Sequence, residues 1–270
     1  MLKSKKIKMT QETITSSSNL KIKQIKKLRQ AHNRKKADLI IVEGQKEISR
    51  AVSVGLEIKE LFYCPEIARV RINFDELKSQ AVVEVSEPVF NKITYREHPD
   101  GYLALARPKY LGLEKITLSP IPLLIILESI EKPGNLGAIL RSADAAQADA
   151  VIVCDPRTDI YNPNVIRASL GAVFTQQTAV CSTAEAISWF RKNKIKSFAA
   201  VAQNSQPYFK ADYRQASAII IGTEHAGLSV AWIKAADEKI HIPMPGQADS
   251  LNASVSAAII LFEALRQRSS

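Results

Sequence analysis

Short apolar runs alternate along this chain with segments whose apolar positions recur every three or four residues. Residues 39–42, 60–63, 81–85 and 102–106 read as strands, and 45–54 reads as a helix with Ile48, Ala51 and Val52 on one face. Further along, 123–127, 150–154, 197–202, 218–221 and 239–242 read as strands, with helices over 138–146, 184–193 and 230–236 between them. Buried strands of a parallel sheet carry such continuous apolar runs, because helices cover both faces. The last helix, over 251–268, aligns Leu251, Val255, Ala258, Ile259, Phe262 and Leu265. The expected fold class is α/β, with a mostly parallel sheet in the carboxyl-terminal part and a smaller α/β domain before it.

Punctuation divides the chain further. Residues 1–19 are Lys-rich and end in Ser16, Ser17 and Ser18, which reads as a basic flexible tail. The small α/β domain spans 20–110. A linker over 111–121 follows, with Gly112 inside it and Pro108, Pro120 and Pro122 in or beside it. The larger domain covers 122–270.

Composition changes this picture little, since 46% hydrophobic and 24% charged residues describe an ordinary globular protein. No apolar run approaches the ~20 residues of a membrane span, and the longest, 121–127, contains Pro122. Neither a membrane nor a metal is expected as partner. Cys64, Cys154 and Cys181 form no CxxC pair, and the four histidines are scattered. That usage points to reduced thiols in the cytoplasm.

Charge changes more. The net charge is +10, and the first fifty residues hold fourteen Lys or Arg against Glu12, Asp38, Glu43 and Glu47. The remaining 220 residues carry twenty-three of each sign. The whole basic excess therefore lies in the first fifth of the chain, which suggests a polyanionic partner. Ile22, Ile25 and Leu28 repeat at helical spacing among Lys21, Lys23, Lys26, Lys27 and Arg29. A basic surface on a folded helix favours nucleic acid over an acidic membrane.

Glycine marks the candidate chemistry. Gly134, Gly137, Gly171, Gly222, Gly227 and Gly246 follow predicted strands or sit at helix ends, where open α/β folds bind ligands. Neither GxGxxG nor GxxxxGK[ST] is present, so dinucleotide and P-loop readings lack support. Three segments stand out instead: 131–141 (EKPGNLGAILR), 221–229 (IGTEHAGLS) and 242–256 (IPMPGQADSLNASVS). In this order and spacing they resemble the three signature motifs of the SpoU (TrmH-like) branch of the SPOUT RNA methyltransferases. Residues 164–171 (NVIRASLG) resemble a helix lying between the first two motifs in that family. Residues 41–44 (IVEG) and 98–106 (HPDGYLALA) resemble the substrate-binding domain of its ribosomal members, and the layout is similar to the thiostrepton-resistance methyltransferases of 23S ribosomal RNA.

The resemblance implies S-adenosylmethionine as cofactor and a ribose 2′-hydroxyl of RNA as acceptor. It implies 23S ribosomal RNA ahead of transfer RNA, with a noncatalytic RNA-binding protein of the same fold as the rival class. Asn135, Arg141, Glu224, Ser250 and Asn252 match its catalytic positions, and Gly222, Ile242, Met244, Leu251 and Ser254 its cofactor-binding ones. Helix capping is the alternative for Ser250 and Asn252. The resemblance also implies a homodimer and a deep trefoil knot over about 218–262, and leaves open whether Arg141 acts within one chain or across the dimer.

Overall fold

The computed structural model describes residues 8–9, 12–69, 81–223 and 226–269. The chain divides into two compact units, Met1–Lys109 with Tyr161–Gly171, and Tyr110–Ile160 with Ala172–Ser270.

The first unit is a five-stranded mixed sheet with helices. Its elements are β1 (Lys8–Met9), α1 (Leu20–Lys27), α2 (Ala31–Ala37), β2 (Ile40–Glu43), α3 (Gln45–Ser53), β3 (Ile58–Tyr63), β4 (Ala81–Glu84), α4 (Glu87–Ile93) and β5 (Tyr102–Ala106). The strand order is β1-β4-β3-β5-β2, with β5 antiparallel to both neighbours. Helix α1 buries Ile22 and Ile25 beside Leu28, and these pack with Val89, Phe90 and Ile93 of α4 against Phe62, Val83 and Leu103. Asn19 caps α1 by accepting from the Lys21 N–H at 2.9 Å. At its other end, buried Arg34 donates to the carbonyls of Leu28 and Arg29 at 2.9 and 2.8 Å, satisfying acceptors that a helix end leaves open.

The apolar face of α1 leaves Lys23, Lys26 and Lys27 exposed, and α2 exposes Lys35 and Lys36. No acid stands between Glu12 and Asp38. The expected tail needs correcting where it is described. Strand β1 pairs in parallel with β4. Ile14 donates to Glu84 O at 2.9 Å, and its own carbonyl accepts from the Ser86 N–H at 3.1 Å. Backbone pairing to the edge of a sheet therefore holds the segment around Ile14. Residues 1–7 lie outside the described residues.

In the second unit the elements are β6 (Leu123–Glu128), α5 (Pro133–Ala145), β7 (Ala150–Cys154), α7 (Ala172–Thr175), β8 (Thr178–Cys181), α8 (Thr183–Asn193), β9 (Lys196–Ala200), β10 (Gln206–Pro207), β11 (Ser217–Ile221), α9 (Val230–Ala235), β12 (Glu238–His241) and α10 (Ala253–Arg268). The intervening α6 (Pro163–Ala168) belongs to the first unit and packs on β2. All strand pairs here are parallel, in the order β10-β12-β9-β11-β6-β7-β8. Every residue of β6, β7 and β11 is buried, as continuous apolar runs require. Phe190 of α8 and Trp232 of α9 pack with Leu124, Ile126, Ile152 and Ile220, while α5 and α10 pack on each other.

One expectation changes in this unit. Part of the expected linker is docked: Leu113, Ile116 and Leu118 pack against the core, and Thr117 donates to Gln177 Oε1 at 2.9 Å. The apolar stripe read along the last helix is its less buried side. Ala253, Ala257, Ile260, Leu261 and Ala264 are buried, while Val255 and Phe262 are 45% and 47% exposed. The helix is apolar on both sides, so spacing alone could not choose between them. Among the described residues, no helix is long and apolar enough to cross a membrane.

Candidate functional site

Ala200, Ile221 and His241 end the adjacent strands β9, β11 and β12, and all three line one cavity of about 800 Å³. Carboxyl ends of parallel strands are the usual ligand crevice of open α/β sheets, because the following loops splay apart there. Three loops build the walls here. The first, after β9, contributes Val201, Ala202, Gln203 and Asn204. The second, after β11, contributes Gly222, Thr223, Ala226, Gly227 and Leu228. The third, after β12, contributes Ile242, Met244, Asp249, Ser250 and Leu251, and α10 adds Ala253, Ser256 and Ile260.

The second loop closes tightly on itself. Thr223 and Gly227 exchange N–H···O bonds of 3.1 Å in both directions, and Thr223 Oγ1 accepts from the Ala226 N–H at 3.0 Å. A Cβ at Gly222 would lie 2.2 Å from the Gly227 carbonyl oxygen. No side chain fits there, so the glycine is required by backbone approach.

Of the residues singled out from sequence, Gly222, Ile242, Met244, Ser250 and Leu251 line this cavity. Asn252 is the N-cap of α10; its Oδ1 accepts from the Ser254 N–H at 2.9 Å and from Ser254 Oγ at 2.6 Å. Capping is therefore realised at Asn252, but it does not exhaust the side chain. Its Nδ2 donates to Asn135 Oδ1, in the first turn of α5, at 3.1 Å. Ser254, expected against the cofactor, is absent from the lining because its hydroxyl faces Asn252; Ser256, half a turn later, takes that place. Arg141 lies exposed on α5, does not line the cavity, and its side chain has no hydrogen bond or ion pair among the described residues. Glu224 lies outside the described residues.

Sequence reasoning missed the loop after β9, which carries no glycine and no motif, and the buried glutamate that ends β6. Glu128 is 6% exposed and accepts from the Ser229 N–H at 2.7 Å and from Thr183 Oγ1 at 3.1 Å. His241, at the end of β12, meets Ser205 Oγ through Nδ1 at 3.0 Å.

Comparison with known proteins places the chain in a family. Residues 122–262 match the model of the SpoU rRNA Methylase family, and residues 19–104 match that of the MRM3-like substrate binding domain. A curated relative from Bacillus subtilis, 23S rRNA (guanosine(2553)-2′-O)-methyltransferase RlmP, is 30% identical over 249 residues, covering 92% of this chain and 97% of its own. A crystal structure of an RNA 2′-O ribose methyltransferase superposes with a TM-score of 0.84 at 41% identity, covering 96% of this chain and all of the other. A structure of an AdoMet-bound rRNA methyltransferase from Sinorhizobium meliloti gives a TM-score of 0.86 at 32% identity, with 94% and 97% of the two chains covered. The motif loops that meet at the cavity thus lie within a family-wide match, and this chain belongs to the SpoU rRNA methylase family.

Proposed function

We propose that this chain transfers a methyl group from S-adenosylmethionine to the 2′-hydroxyl of a ribose in 23S ribosomal RNA. The observation that carries the reading is the convergence of five residues from two separated motifs, Gly222, Ile242, Met244, Ser250 and Leu251, on one cavity. Its volume of about 800 Å³ suits a cofactor of this size. Its lining suits one too, since Ile221, Leu228, Ile240 and Ile260 are apolar and bent loops turn main-chain groups toward a ligand.

S-adenosylmethionine, when bound, supplies an electrophilic methyl group on a cationic sulfonium. In this reading Gly222, Ile242 and Leu251 hold the adenosine through main-chain N–H and C=O groups, with Met244 beside them. The Asn135–Asn252 contact fixes the entry of α10 against α5, and so the position of Ser250 and Leu251 just before it. Arg141 supplies positive charge where negative charge grows on the ribose oxygen, or holds the adjacent phosphate. A guanidinium stays protonated at any physiological pH, so it stabilises charge and does not accept the proton.

Arg141 is exposed, outside the cavity of its own chain and without a side-chain partner among the described residues, which supports a site completed by a second copy. The exposed Val255 and Phe262 on α10 support a homodimer through that helix. A knotted crossing over about 218–262 belongs to the same reading, by likeness to the family. Exposed Lys23, Lys26, Lys27, Lys35 and Lys36 support α1 and α2 as a surface for the RNA backbone. Three free thiols suit a reducing cytoplasm.

The test is transfer of labelled methyl from S-adenosylmethionine to unmodified 23S ribosomal RNA and, in a parallel reaction, to unmodified transfer RNA, followed by digestion to nucleosides. A single 2′-O-methyl nucleoside is expected. Label on a base, on transfer RNA alone, or on nothing would overturn the reading.

A further inference from the structure

We infer that Glu128 is a positioning residue for the cofactor cavity, acting through the amide of Ser229. The inference rests on the reading that this cavity holds S-adenosylmethionine. Glu128 ends β6, which lies between β11 and β7 in the seven-stranded sheet. It is 6% exposed, so its charge needs partners to be tolerated there. One carboxylate oxygen accepts from Thr183 Oγ1 at 3.1 Å, at the start of α8, and the other from the Ser229 N–H at 2.7 Å. Ser229 in turn caps α9, its Oγ accepting from the Trp232 N–H at 3.4 Å. One buried carboxylate therefore ties together the ends of three segments that are distant in sequence.

The tie matters because of what precedes Ser229. Gly227 and Leu228 line the cavity, and Gly227 closes back on Thr223 and against Gly222. The loop after β11 is thus fixed at its start by the strand and at its end by Glu128. Glu128 itself does not line the cavity, so it can act on a ligand only through the loop. It also precedes the first motif, whose signature begins at Glu131. A short charge-assisted bond from a main-chain N–H to a carboxylate is among the stronger anchors available. Without the acceptor, the Ser229 N–H and the Thr183 hydroxyl would need new partners and the loop would shift to find them.

Glu128→Met keeps size and removes both acceptors. Glu128→Gln keeps one oxygen for the Ser229 N–H and offers an amide to Thr183 Oγ1, which can accept. The Met variant should raise KM for S-adenosylmethionine by about tenfold or more, the cost of one unpaired donor, with kcat at saturating cofactor little changed. The Gln variant should stay close to wild type. Amide exchange over residues 226–235 of the wild-type protein supplies a readout that needs no variant: the Ser229 N–H should be slow. Equal KM for wild type and Met, equal losses in Met and Gln, or a fast-exchanging Ser229 amide would overturn the inference. Wild-type protein that fails to bind S-adenosylmethionine would instead overturn the functional reading beneath it, and calorimetry on the wild type separates the two.

Discussion

The side chain of Asn252 donates to that of Asn135 at 3.1 Å, joining the N-cap of α10 to the first turn of α5 across 117 residues. The same Asn252 accepts from both the main chain and the hydroxyl of Ser254. One side chain thus ends the loop that carries Ser250 and Leu251 and pins it to the first motif. Asn252→Ala should cost about 1 kcal/mol of stability, the usual loss on removing an N-cap. A double-mutant cycle with Asn135→Ala, read by urea denaturation, should show a coupling of about 0.5 kcal/mol or more. Strict additivity would show the two asparagines to be independent.

Gly222→Ala probes the loop itself. The added methyl would be forced against the Gly227 carbonyl, which is backbone and cannot rotate away. Calorimetry should show S-adenosylmethionine affinity reduced at least about tenfold, while far-ultraviolet circular dichroism stays native. Unchanged affinity would place the cofactor elsewhere.

RNA binding should depend on the outer face of α1. Replacing Lys23, Lys26 and Lys27 by Gln leaves the buried Ile22 and Ile25 untouched. Each lost phosphate contact should lower the slope of log affinity against log salt by about 0.7 to 0.9. Filter binding across a salt series measures this, and cofactor affinity serves as the control. An unchanged slope would free α1 of any role in RNA binding.

Alkaline stability follows from buried Cys64. Burial first, then its bond to the Glu66 carboxylate, pushes this thiol from 9.0 up to about 12. The folded state therefore keeps a proton that the unfolded chain releases above pH 9. The contribution is fully present below pH 9 and is lost as pH rises toward 12. Melting temperatures should hold up to pH 9 and fall beyond it, less steeply in Cys64→Ala relative to that variant's own neutral value.

Much of the second unit was legible because its strands are buried on both faces. The continuous apolar run at Ala150–Cys154 admits one reading and has the expected bounds. Elements with little apolar content were not legible. Helix α2 buries only Arg34, and the last two residues of β8 are not buried, so neither shows a hydrophobic period. Helix α5 begins at Pro133, five residues ahead of the expected Ala138, because Pro and Gly read as loop although proline suits the first turn. Within the site, the glycine loops marked the cavity while the loop after β9 gave no signal. Glu128 escaped for another reason: a buried carboxylate is recognised by the donors that meet it, Ser229 and Thr183, and these come from distant sequence.

The most direct measurement is a map of ribose methylation in ribosomal and transfer RNA from cells lacking this chain, compared with cells restored by wild type or by Arg141→Ala. The account predicts loss of a 2′-O-methyl group from 23S ribosomal RNA, regained with wild type. The Arg141→Ala protein should bind S-adenosylmethionine normally yet transfer methyl about two to three orders of magnitude more slowly, the scale of losing one charge-stabilising group. A methylation map unchanged by the deletion, or one restored fully by Arg141→Ala, would contradict it.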